Sequence, residues 1–387
     1  MSESQTDAPA VAPAELAAWR RDGRAFTVLD VRNRDEFDAW HVDAPAGDAV
    51  HVPHQQFIAA RAKGTTGDLV PDGPEPVLVV CGVGRASAEV AEQLRGAGVD
   101  ARNLAGGMEA WAEAYEAVEV PFAAGTVLQY QRPSSGCLGY LIVAGDGAAV
   151  VDPLRAFADR YPADAADRGA TLVTAIDTHV HADHVSGVRS VADATGTEIA
   201  LPAGVEERGI EYDADRLLDD GDAIEVGDAA LETLVLPGHT PEGVGFRIAD
   251  DEHGDLLLAG DTLFLDAVAR PDLAVEADGV EAMARDLHAS LAKLRDLPDE
   301  TRVAPGHVAS STSADDAGRY LDTIGALRDR HELLSLPQSE FVEAVTESLP
   351  DRPANDARIV RINLGAEVVD EAAAFDLELG PNNCAVQ

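Results

Sequence analysis

The chain has 387 residues, and the 46% of them that are hydrophobic suffice to build the buried cores of two domains. A formal net charge of -41, from 70 acidic and 29 basic residues, repels phosphate backbones and anionic lipids, which argues against binding to nucleic acids or membrane surfaces. Three cysteines without a closely spaced pair argue against a disulfide scaffold and favour a reducing compartment.

The sequence also lacks the marks of an exported or membrane protein. Residues 1–10 are acidic and contain no apolar leader segment, and no stretch is long enough to span a bilayer. We therefore expect a cytoplasmic protein. Because the basic residues are almost all arginines and the acidic excess is large, we also expect a halophilic cytoplasm, whose salt screens the repulsion between carboxylates.

The N-terminal third of the chain has the pattern of a small α/β domain. Residues 1–12 are polar and rich in alanine and proline, and we expect them to form a disordered tail. Short apolar runs at 26–30 and 77–80 indicate buried parallel strands, and the apolar face of 87–96 indicates a helix. Strands that alternate with helices predict an α/β layer domain over residues 13–120.

Cys81 directly follows the second of these strands and opens a short loop into the predicted helix. Backbone N–H groups of such a loop, together with the helix N-terminus, favour a thiolate and can hold an anion. The loop residues are Gly82, Val83, Gly84, Arg85, Ala86 and Ser87. A single cysteine after a strand is more often a core residue, so the interpretation of Cys81 depends on the motifs around it.

Three segments of this domain resemble the rhodanese family almost from end to end. They are LDVR at 29–32, VVCGVGRAS at 79–87 and NLAGGMEAW at 103–111. The resemblance implies a sulfurtransferase in which Cys81 takes a sulfane sulfur, becomes a persulfide and passes the sulfur to a nucleophile. Arg85 would help to hold an anionic donor such as thiosulfate. These motifs favour the reactive thiol over the core residue.

The remainder of the chain, residues 121–387, has strands separated by turns and amphipathic helices. Apolar runs predict strands at 127–128, 140–143, 148–151, 171–176, 198–201, 231–236, 244–248 and 256–258. Amphipathic stretches predict helices at 186–194, 280–297 and 314–334. The pattern fits two packed sheets flanked by helices, with a C-terminal helical extension.

A concentration of metal-ligand residue types follows the apolar run at 171–176. The segment THVHADH at 178–184 contains three imidazoles and a carboxylate, and three later glycine-flanked turns add more. The candidate ligands are His179, His181, Asp183, His184, His239, Asp261 and His307. Histidine and carboxylate suit Zn²⁺ and Fe²⁺, and strand ends can aim loop side chains at one point. The sequence therefore predicts one divalent-metal site assembled from four loops.

With these ligands in view, residues from about 125 to 387 resemble the metallo-β-lactamase superfamily, whose marks are H-x-H-x-D-H, Gly-His, Gly-Asp and a final Gly-His. The resemblance implies an αββα sandwich with metal at one edge of its two sheets. A hydrolase of this superfamily, resembling glyoxalase II, would use two Zn²⁺ ions and a bound hydroxide as the nucleophile. Its ligands would be His179, His181 and His239 for one ion, Asp183, His184 and His307 for the other, and Asp261 as the bridge.

An oxygenase of the same superfamily would use one Fe²⁺ ion. Its ligands would be His179, His239 and Asp261, which form a 2-His-1-carboxylate set that leaves positions for a substrate sulfur and O₂. The other four candidate ligands would then surround this set without binding the ion.

The segments around the ligands favour the oxygenase, because they resemble the persulfide dioxygenase branch. These segments are PGHTPEG at 237–243, GDTLF at 260–264, ARPDL at 269–273 and PNNCAVQ at 381–387. Two departures stand out: Ala269 replaces a usual glycine, and Val308-Ala309 replaces the expected Asp-Tyr after the last histidine. The missing tyrosine opens the alternative of a small thiol persulfide other than glutathione persulfide.

Three further residues have simpler alternatives. Arg270 is the candidate for holding a substrate carboxylate, because a guanidinium can make a bidentate contact, and a salt bridge to Asp272 is the alternative. Cys137 and Cys384 are interpreted as packing or tail residues.

The resemblance of the first domain to rhodaneses and that of the second to persulfide dioxygenases together predict a rhodanese domain fused to a persulfide dioxygenase. It would oxidise a small thiol persulfide to sulfite and exchange sulfur with thiosulfate or sulfite at Cys81. The alternatives are the two-zinc thioester hydrolase and a non-catalytic sulfur-trafficking protein with a structural metal. We expect no nucleic-acid or membrane partner, and a homodimer is left open.

Overall fold

Two units with separate cores make up the chain in the computed structural model, which describes residues 9–43, 49–70, 72–309, 311–347, 349–380 and 384–386. The first unit comprises Met1–Glu116, Arg132–Ser135 and Ser310–Ser313, and the second comprises Ala117–Gln131, Gly136–Ala309 and Ala314–Gln387. The main boundary thus lies within a few residues of the expected one at 120.

The first unit is an α/β domain around a parallel sheet. Its strands are β1 (Ala10–Val11), β2 (Thr27–Asp30), β3 (Val50–His51), β4 (Val77–Val80) and β5 (Ala101–Leu104), in the order β1-β5-β4-β2-β3. Its helices are α1 (Pro13–Arg21), α2 (Arg34–Ala39), α3 (His54–Lys63), α4 (Arg85–Gly96) and α5 (Gly107–Ala112), with a 3-10 turn at Thr66–Leu69. The predicted parallel strands and helix are confirmed.

Alternate strand residues of this sheet pack into two apolar layers. Val28 and Leu78 lie in one layer with Trp111, whereas Leu29 and Val79 lie in the other. Successive side chains of a strand point to opposite faces, so both faces of this sheet are covered.

The expected disordered tail at 1–12 needs a correction at its end. Residues 1–8 lie outside the described residues, but Ala10 and Val11 form strand β1 beside Asn103 and Leu104. Val11 is buried in the apolar layer, and burial of its side chain together with the backbone pairing explains why the chain is ordered here.

The second unit contains two sheets that face each other. The first has the order β12-β11-β10-β9-β8-β7-β6. Its strands are β6 (Glu116–Phe122), β7 (Gly125–Gln131), β8 (Leu138–Ala144), β9 (Gly147–Val151), β10 (Thr171–Ile176), β11 (Glu198–Pro202) and β12 (Arg216–Leu218).

The second sheet has the order β13-β14-β15-β16-β18-β19, while β17 pairs with a C-terminal strand. The strands are β13 (Ala223–Val226), β14 (Ala229–Val235), β15 (Val244–Ile248), β16 (Leu256–Gly260), β17 (Val268–Ala269), β18 (Arg302–Pro305), β19 (Asp322–Thr323) and β20 (Ala385–Val386). One buried cluster takes side chains from both sheets, such as Ile142 and Phe246, so the sheets form a sandwich.

Helices flank this sandwich. They are α6 (Arg160–Asp167), α7 (Val188–Thr195), α8 (Val280–Arg295), α9 (Ile324–Arg330), α10 (Gln338–Glu347), α11 (Asp356–Asn363) and α12 (Glu371–Leu377). Short 3-10 turns occur at Arg155–Phe157, Ala203–Glu206 and Glu332–Ser335. The expected αββα sandwich and the C-terminal helical extension are both present.

The helix expected at 314–334 is wrong in its first half. The backbone N–H groups of Ala317 and Arg319 donate to the Asp315 carboxylate, which closes a turn that competes with a helix. Helix α9 begins only after Thr323, whose hydroxyl accepts the N–H of Ala326 as an N-cap.

Candidate metal centre and thiol site

The predicted ligands lie just beyond strand ends of the sandwich. His179 follows β10, His239 follows β14, Asp261 follows β16 and His307 follows β18. All four side chains are buried. Rigid strands therefore fix the starting points of loops whose side chains meet in one place.

His179, His239 and Asp261 form a compact group that could hold a metal ion, with one ligand atom from each lying within 4.8 Å of the others. The Nε2 atoms of His179 and His239 lie 3.9 and 3.7 Å from Asp261 Oδ2. Separations of this size are too long for hydrogen bonds, but atoms that share a metal ion can lie this far apart.

Hydrogen bonds on the far side of each imidazole set its orientation. The Thr178 hydroxyl donates to Asp152, so it accepts from Nδ1–H of His179 at 2.9 Å. Nδ1–H of His239 donates to the backbone oxygen of Arg270 at 3.0 Å. Both Nε2 atoms therefore keep an unprotonated lone pair that faces Asp261.

The donor atoms of this group fit a divalent metal ion. His179 Nε2 and Asp261 Oδ2 are both buried and have no hydrogen-bond partner. Burial lowers the pKa of His179 well below its usual value, which keeps the imidazole neutral and able to donate a lone pair. Two unsatisfied buried acceptors that face each other are costly unless a cation lies between them.

His181 does not belong to this group, although its ring centroid lies 4.1 Å from that of His179. Its Nε2 lies 3.1 Å from Asp152 Oδ1 and 3.8 Å from Asp177 Oδ1, and these three residues form a separate buried cluster. Burial raises the pKa of Asp177 to about 6. Among the described residues, the structure thus groups His181 with the carboxylates of Asp152 and Asp177.

A second group of potential ligands surrounds Asp183. Its members are Cys137, Asp183, His184 and His307, whose ligand atoms lie within 4.8 Å of one another. Asp183 Oδ2 lies 3.3 Å from Cys137 Sγ, 3.2 Å from His184 Nδ1 and 2.7 Å from His307 Nε2.

His307 connects the two groups through hydrogen bonds. Its Nδ1 lies 2.7 Å from Asp261 Oδ1 and its Nε2 lies 2.7 Å from Asp183 Oδ2. Burial by itself would lower the pKa of His307, but the two carboxylates raise it well above its usual value. A protonated His307 that donates on both sides fixes the orientation of Asp261.

Close packing against Asp261 requires a glycine before the last histidine. A Cβ atom at Gly306 would lie 2.4 Å from Asp261 Oδ1, so any other residue would displace the carboxylate. Gly238, with φ of +141°, would place a Cβ 2.3 Å from the backbone of Leu287. The Gly-His pairs of the sequence are thus needed for close packing around the ligands.

Arg270 does not occupy the role expected first. It is buried, its Nε and Nη2 donate to Asp272 at 2.7 and 3.0 Å, and it also donates to the backbone oxygens of Pro350 and Asp351. The alternative prediction, a salt bridge to Asp272, is what the structure shows. A guanidinium committed to these partners holds the C-terminal segment and does not offer a fork to a substrate carboxylate.

Cys137 and Cys384, interpreted from the sequence as packing or tail residues, also lie close to the candidate ligands. Cys137 belongs to the group around Asp183, and Cys384 lies with Asp261 and His307 within 4.8 Å between ligand atoms. Both thiols are buried. Both cysteines are far from the histidines in the sequence, so the sequence does not reveal this proximity. The available signal is that Cys137 directly precedes strand β8.

Cys81 lies where the sequence predicted, in the loop between β4 and helix α4. Its Sγ accepts the backbone N–H of Ser87 at 3.3 Å and lies 3.0 Å from the Ser87 hydroxyl, which in turn donates to Asn103 at 2.6 Å. Cys81 and Ser87 are both buried. Among the described hydrogen bonds, one helix N–H thus faces the sulfur, whereas the sequence predicted several N–H groups of the loop. The Asn103 contact is one that the sequence did not indicate.

The other loop residues shape the backbone around Cys81. Gly84 has φ of +77° and precedes the helix, where Arg85 lies exposed in the first turn. Helix α5 also closes the loop, because Met108 and Glu109 donate to the backbone oxygens of Cys81 and Gly82. Gly82, Val83 and Ala86 line this turn, and Val83 is exposed.

Among the described residues, each helix is too short or too polar to span a bilayer.

Known proteins match both parts of the chain. The family model of the metallo-β-lactamase superfamily matches residues 134–307, and that of the rhodanese-like domain matches residues 12–114. A hydroxyacylglutathione hydrolase of Methylococcus capsulatus is 33% identical over 244 residues, which cover 60% of this chain and 87% of that protein. The human mitochondrial persulfide dioxygenase ETHE1 is 30% identical over 200 residues, which cover 51% of this chain and 70% of that protein.

Among solved structures, ETHE1 from Myxococcus xanthus matches with a TM-score of 0.52 and 27% identity, over 62% of this chain and 97% of that one. The matched regions coincide with the αββα sandwich and with the α/β domain that carries Cys81. The chain therefore belongs to the metallo-β-lactamase superfamily, and a rhodanese-like domain precedes its metallo-β-lactamase domain.

Proposed function

We propose that this protein is a persulfide dioxygenase whose rhodanese-like domain transfers sulfane sulfur at Cys81. In the overall reaction, a small thiol persulfide, O₂ and water give the free thiol and sulfite. The observation that carries the proposal is the group of His179, His239 and Asp261, which does not include His181 because the His181 Nε2 lies against Asp152.

This group has the composition of a 2-His-1-carboxylate site. An Fe²⁺ ion held by these three side chains would leave positions at which a persulfide sulfur and O₂ can bind side by side. Persulfide dioxygenases in human and cattle are among the relatives of the chain, which supports this choice of chemistry.

Hydrogen bonds from surrounding residues orient the three candidate ligands. Asp152 acts through Thr178 to fix the His179 ring, and the backbone oxygen of Arg270 fixes the His239 ring. His307 holds one oxygen of Asp261, so that the other oxygen faces the two histidines. Burial of all these side chains keeps bulk water out and strengthens their electrostatic interactions.

The first domain would supply or remove sulfur. The Cys81 thiolate would attack the sulfane sulfur of thiosulfate, so that the bond to sulfite breaks and a Cys81 persulfide forms. The reverse reaction would convert a persulfide and sulfite into thiosulfate. The Ser87 N–H donated to Cys81 Sγ would stabilise the charge on sulfur in either direction.

A two-metal thioester hydrolase is the second candidate. Its specific support is the group of Cys137, Asp183, His184 and His307, which could hold a second ion, together with the match to a hydroxyacylglutathione hydrolase. Metal content and substrate distinguish the two proposals, because about one iron per chain supports oxygenation and two zincs support hydrolysis.

The deciding experiment measures oxygen uptake and sulfite release by the iron-loaded protein with glutathione persulfide and with other small thiol persulfides. We expect both signals in the parent protein and their loss by at least about 100-fold in His239→Ala, which removes one of three ligands. Hydrolysis of a hydroxyacylglutathione thioester without oxygen uptake would overturn the proposal.

Two control variants separate the sites. His253→Ala removes an exposed histidine that pairs with Asp250, and it should leave oxygen uptake unchanged. Cys81→Ser should abolish sulfur transfer from thiosulfate while oxygen uptake persists. If Cys81→Ser retains the transferase activity, Cys81 is not the sulfur acceptor.

A further inference from the structure

The loop that carries the H-x-H-x-D-H motif, residues 177–186, has no helix or strand of its own, yet its backbone is buried. Buried backbone groups outside regular structure must be satisfied by side chains or by other parts of the chain. Near its start, Thr178 N–H donates to Asp152 and Val180 N–H donates to Glu242. Several partners of its second half come from much later in the sequence, whereas the Val185 backbone oxygen accepts the N–H of Arg155.

Asn363, the last residue of helix α11, makes three hydrogen bonds to this second half. Its side-chain amide donates to the backbone oxygens of His181 and His184, both at 2.9 Å, and its oxygen accepts the N–H of Ser186 at 2.9 Å. Asn363 is buried, so water does not compete for these bonds.

Glu378, which directly follows helix α12, makes a fourth contact. Its Oε1 accepts the backbone N–H of Val185 at 2.9 Å, and the side chain is buried. The side chain of Val185 lies in an apolar cluster with Ile359, Ile362, Ala374 and Leu377 of the same two helices. Apolar packing and polar bonds therefore fasten the same stretch of the loop to the C-terminal extension.

We propose that Asn363 and Glu378 are positioning residues of the metal centre, and that the extension from Asp356 to Glu378 holds the ligand loop in a geometry that binds metal. The proposal rests on the metal site of the proposed function but not on its reaction. It follows from the placement of the contacts, since the carbonyls of His181 and His184 flank Asp183 and lie two to five residues after His179.

The test measures Co²⁺ binding to the metal-free full-length chain by visible absorbance. Asn363→Ala should weaken Co²⁺ binding by about tenfold or more, since loss of groups that orient metal ligands has effects of this size. Glu378→Ala should also weaken binding, whereas Glu378→Gln keeps an oxygen for Val185 N–H and should restore most of it.

Glu371→Ala is the matched control. Glu371 lies in α12 and pairs with Arg155, but it makes no described contact with the ligand loop. It should therefore leave the Co²⁺ affinity within about twofold, even if it lowers the melting temperature of the metal-free protein. If the role of Asn363 is purely structural, Asn363→Ala and Glu371→Ala should lower the melting temperature of the metal-free protein to a similar extent. Neither variant should then change the Co²⁺ affinity.

An Asn363→Ala affinity within twofold of the parent value would overturn the proposal. If Asn363→Ala does not fold, the comparison of Glu378→Ala with Glu378→Gln decides, and equal affinities of these two would likewise overturn it. Because Co²⁺ binding is measured without any substrate, failure here is distinct from failure of the dioxygenase assignment.

Discussion

Glu242 joins the metal-ligand loop to a distant arginine. Its Oε1 accepts the backbone N–H of Val180, and both of its oxygens accept from Arg208 Nη1 at 2.9 and 2.7 Å. The Glu242 side chain is fully buried and Arg208 is mostly buried. A carboxylate in such a place depends on its cationic partner, because loss of that partner leaves a buried charge unpaired.

We predict that Arg208→Met lowers the free energy of unfolding by about 3 kcal/mol, the lower end of the cost of breaking a buried ion pair. Urea denaturation at fixed salt measures this loss. Arg247→Met is the control, because Arg247 pairs with Glu232 and Asp255 at the surface and should cost about 1 kcal/mol or less. Equal losses in the two variants would contradict the special role of the buried pair.

Arg270 shows why a residue type alone does not define a role. A lone arginine near the ligand loops suggests a substrate anchor. In the structure, however, its guanidinium donates to Asp272 and to the backbone oxygens of Pro350 and Asp351. The group of Arg270 that orients His239 is its backbone oxygen, which any residue at this position would also provide. No sequence pattern distinguishes these two contributions.

At the scale of elements, the C-terminal helices depend on their caps. The Asp370 carboxylate accepts the N–H of Ala373 at 2.8 Å and caps helix α12, which precedes Glu378. We predict that Asp370→Ala destabilises the protein by about 1 kcal/mol, whereas Asp370→Asn retains most of the stability. Thermal melts of the metal-free chain measure both, and equal melting temperatures for parent and Asp370→Ala would show that the cap contributes little.

Helix and strand positions were predictable where a short apolar run marks a buried strand or where the helical period is clear. Val77–Val80 and Val244–Ile248 match their predicted ranges, and α8 begins at the predicted Val280. The error at 314–334 arose because an amphipathic pattern continues through a turn that the Asp315 carboxylate closes. Such local side-chain bonds compete with helix formation without changing the apolar period.

At the scale of the whole molecule, charge dominates. A net charge of -41 on 387 residues produces repulsion that opposes the compact state. The screening length falls from about 10 Å at 0.1 M salt to about 3 Å at 1 M. We predict that the melting temperature rises by at least about 4 °C between 0.1 and 2 M KCl, as a gain of about 2 kcal/mol would produce.

Sorbitol at matched osmolality is the control for this measurement, since it stabilises by exclusion from the surface without screening charge. A melting temperature that does not rise with KCl, or that rises equally with sorbitol, would remove the basis for a halophilic origin.

The sequence by itself determined the two fold classes, the seven candidate ligands of the metal centre and the position of Cys81, because these depend on short patterns: strand runs, glycine-flanked turns and clustered histidines. It left open which ligands act together. Only the tertiary structure separated His179, His239 and Asp261 from His181, brought Cys137 and Cys384 to the centre, and fastened the ligand loop with Asn363 and Glu378. Many of these contacts join residues far apart in the chain, such as Val185 and Glu378, which are 193 positions apart. Their geometry depends on how the sheets and the C-terminal helices pack, which no local pattern records.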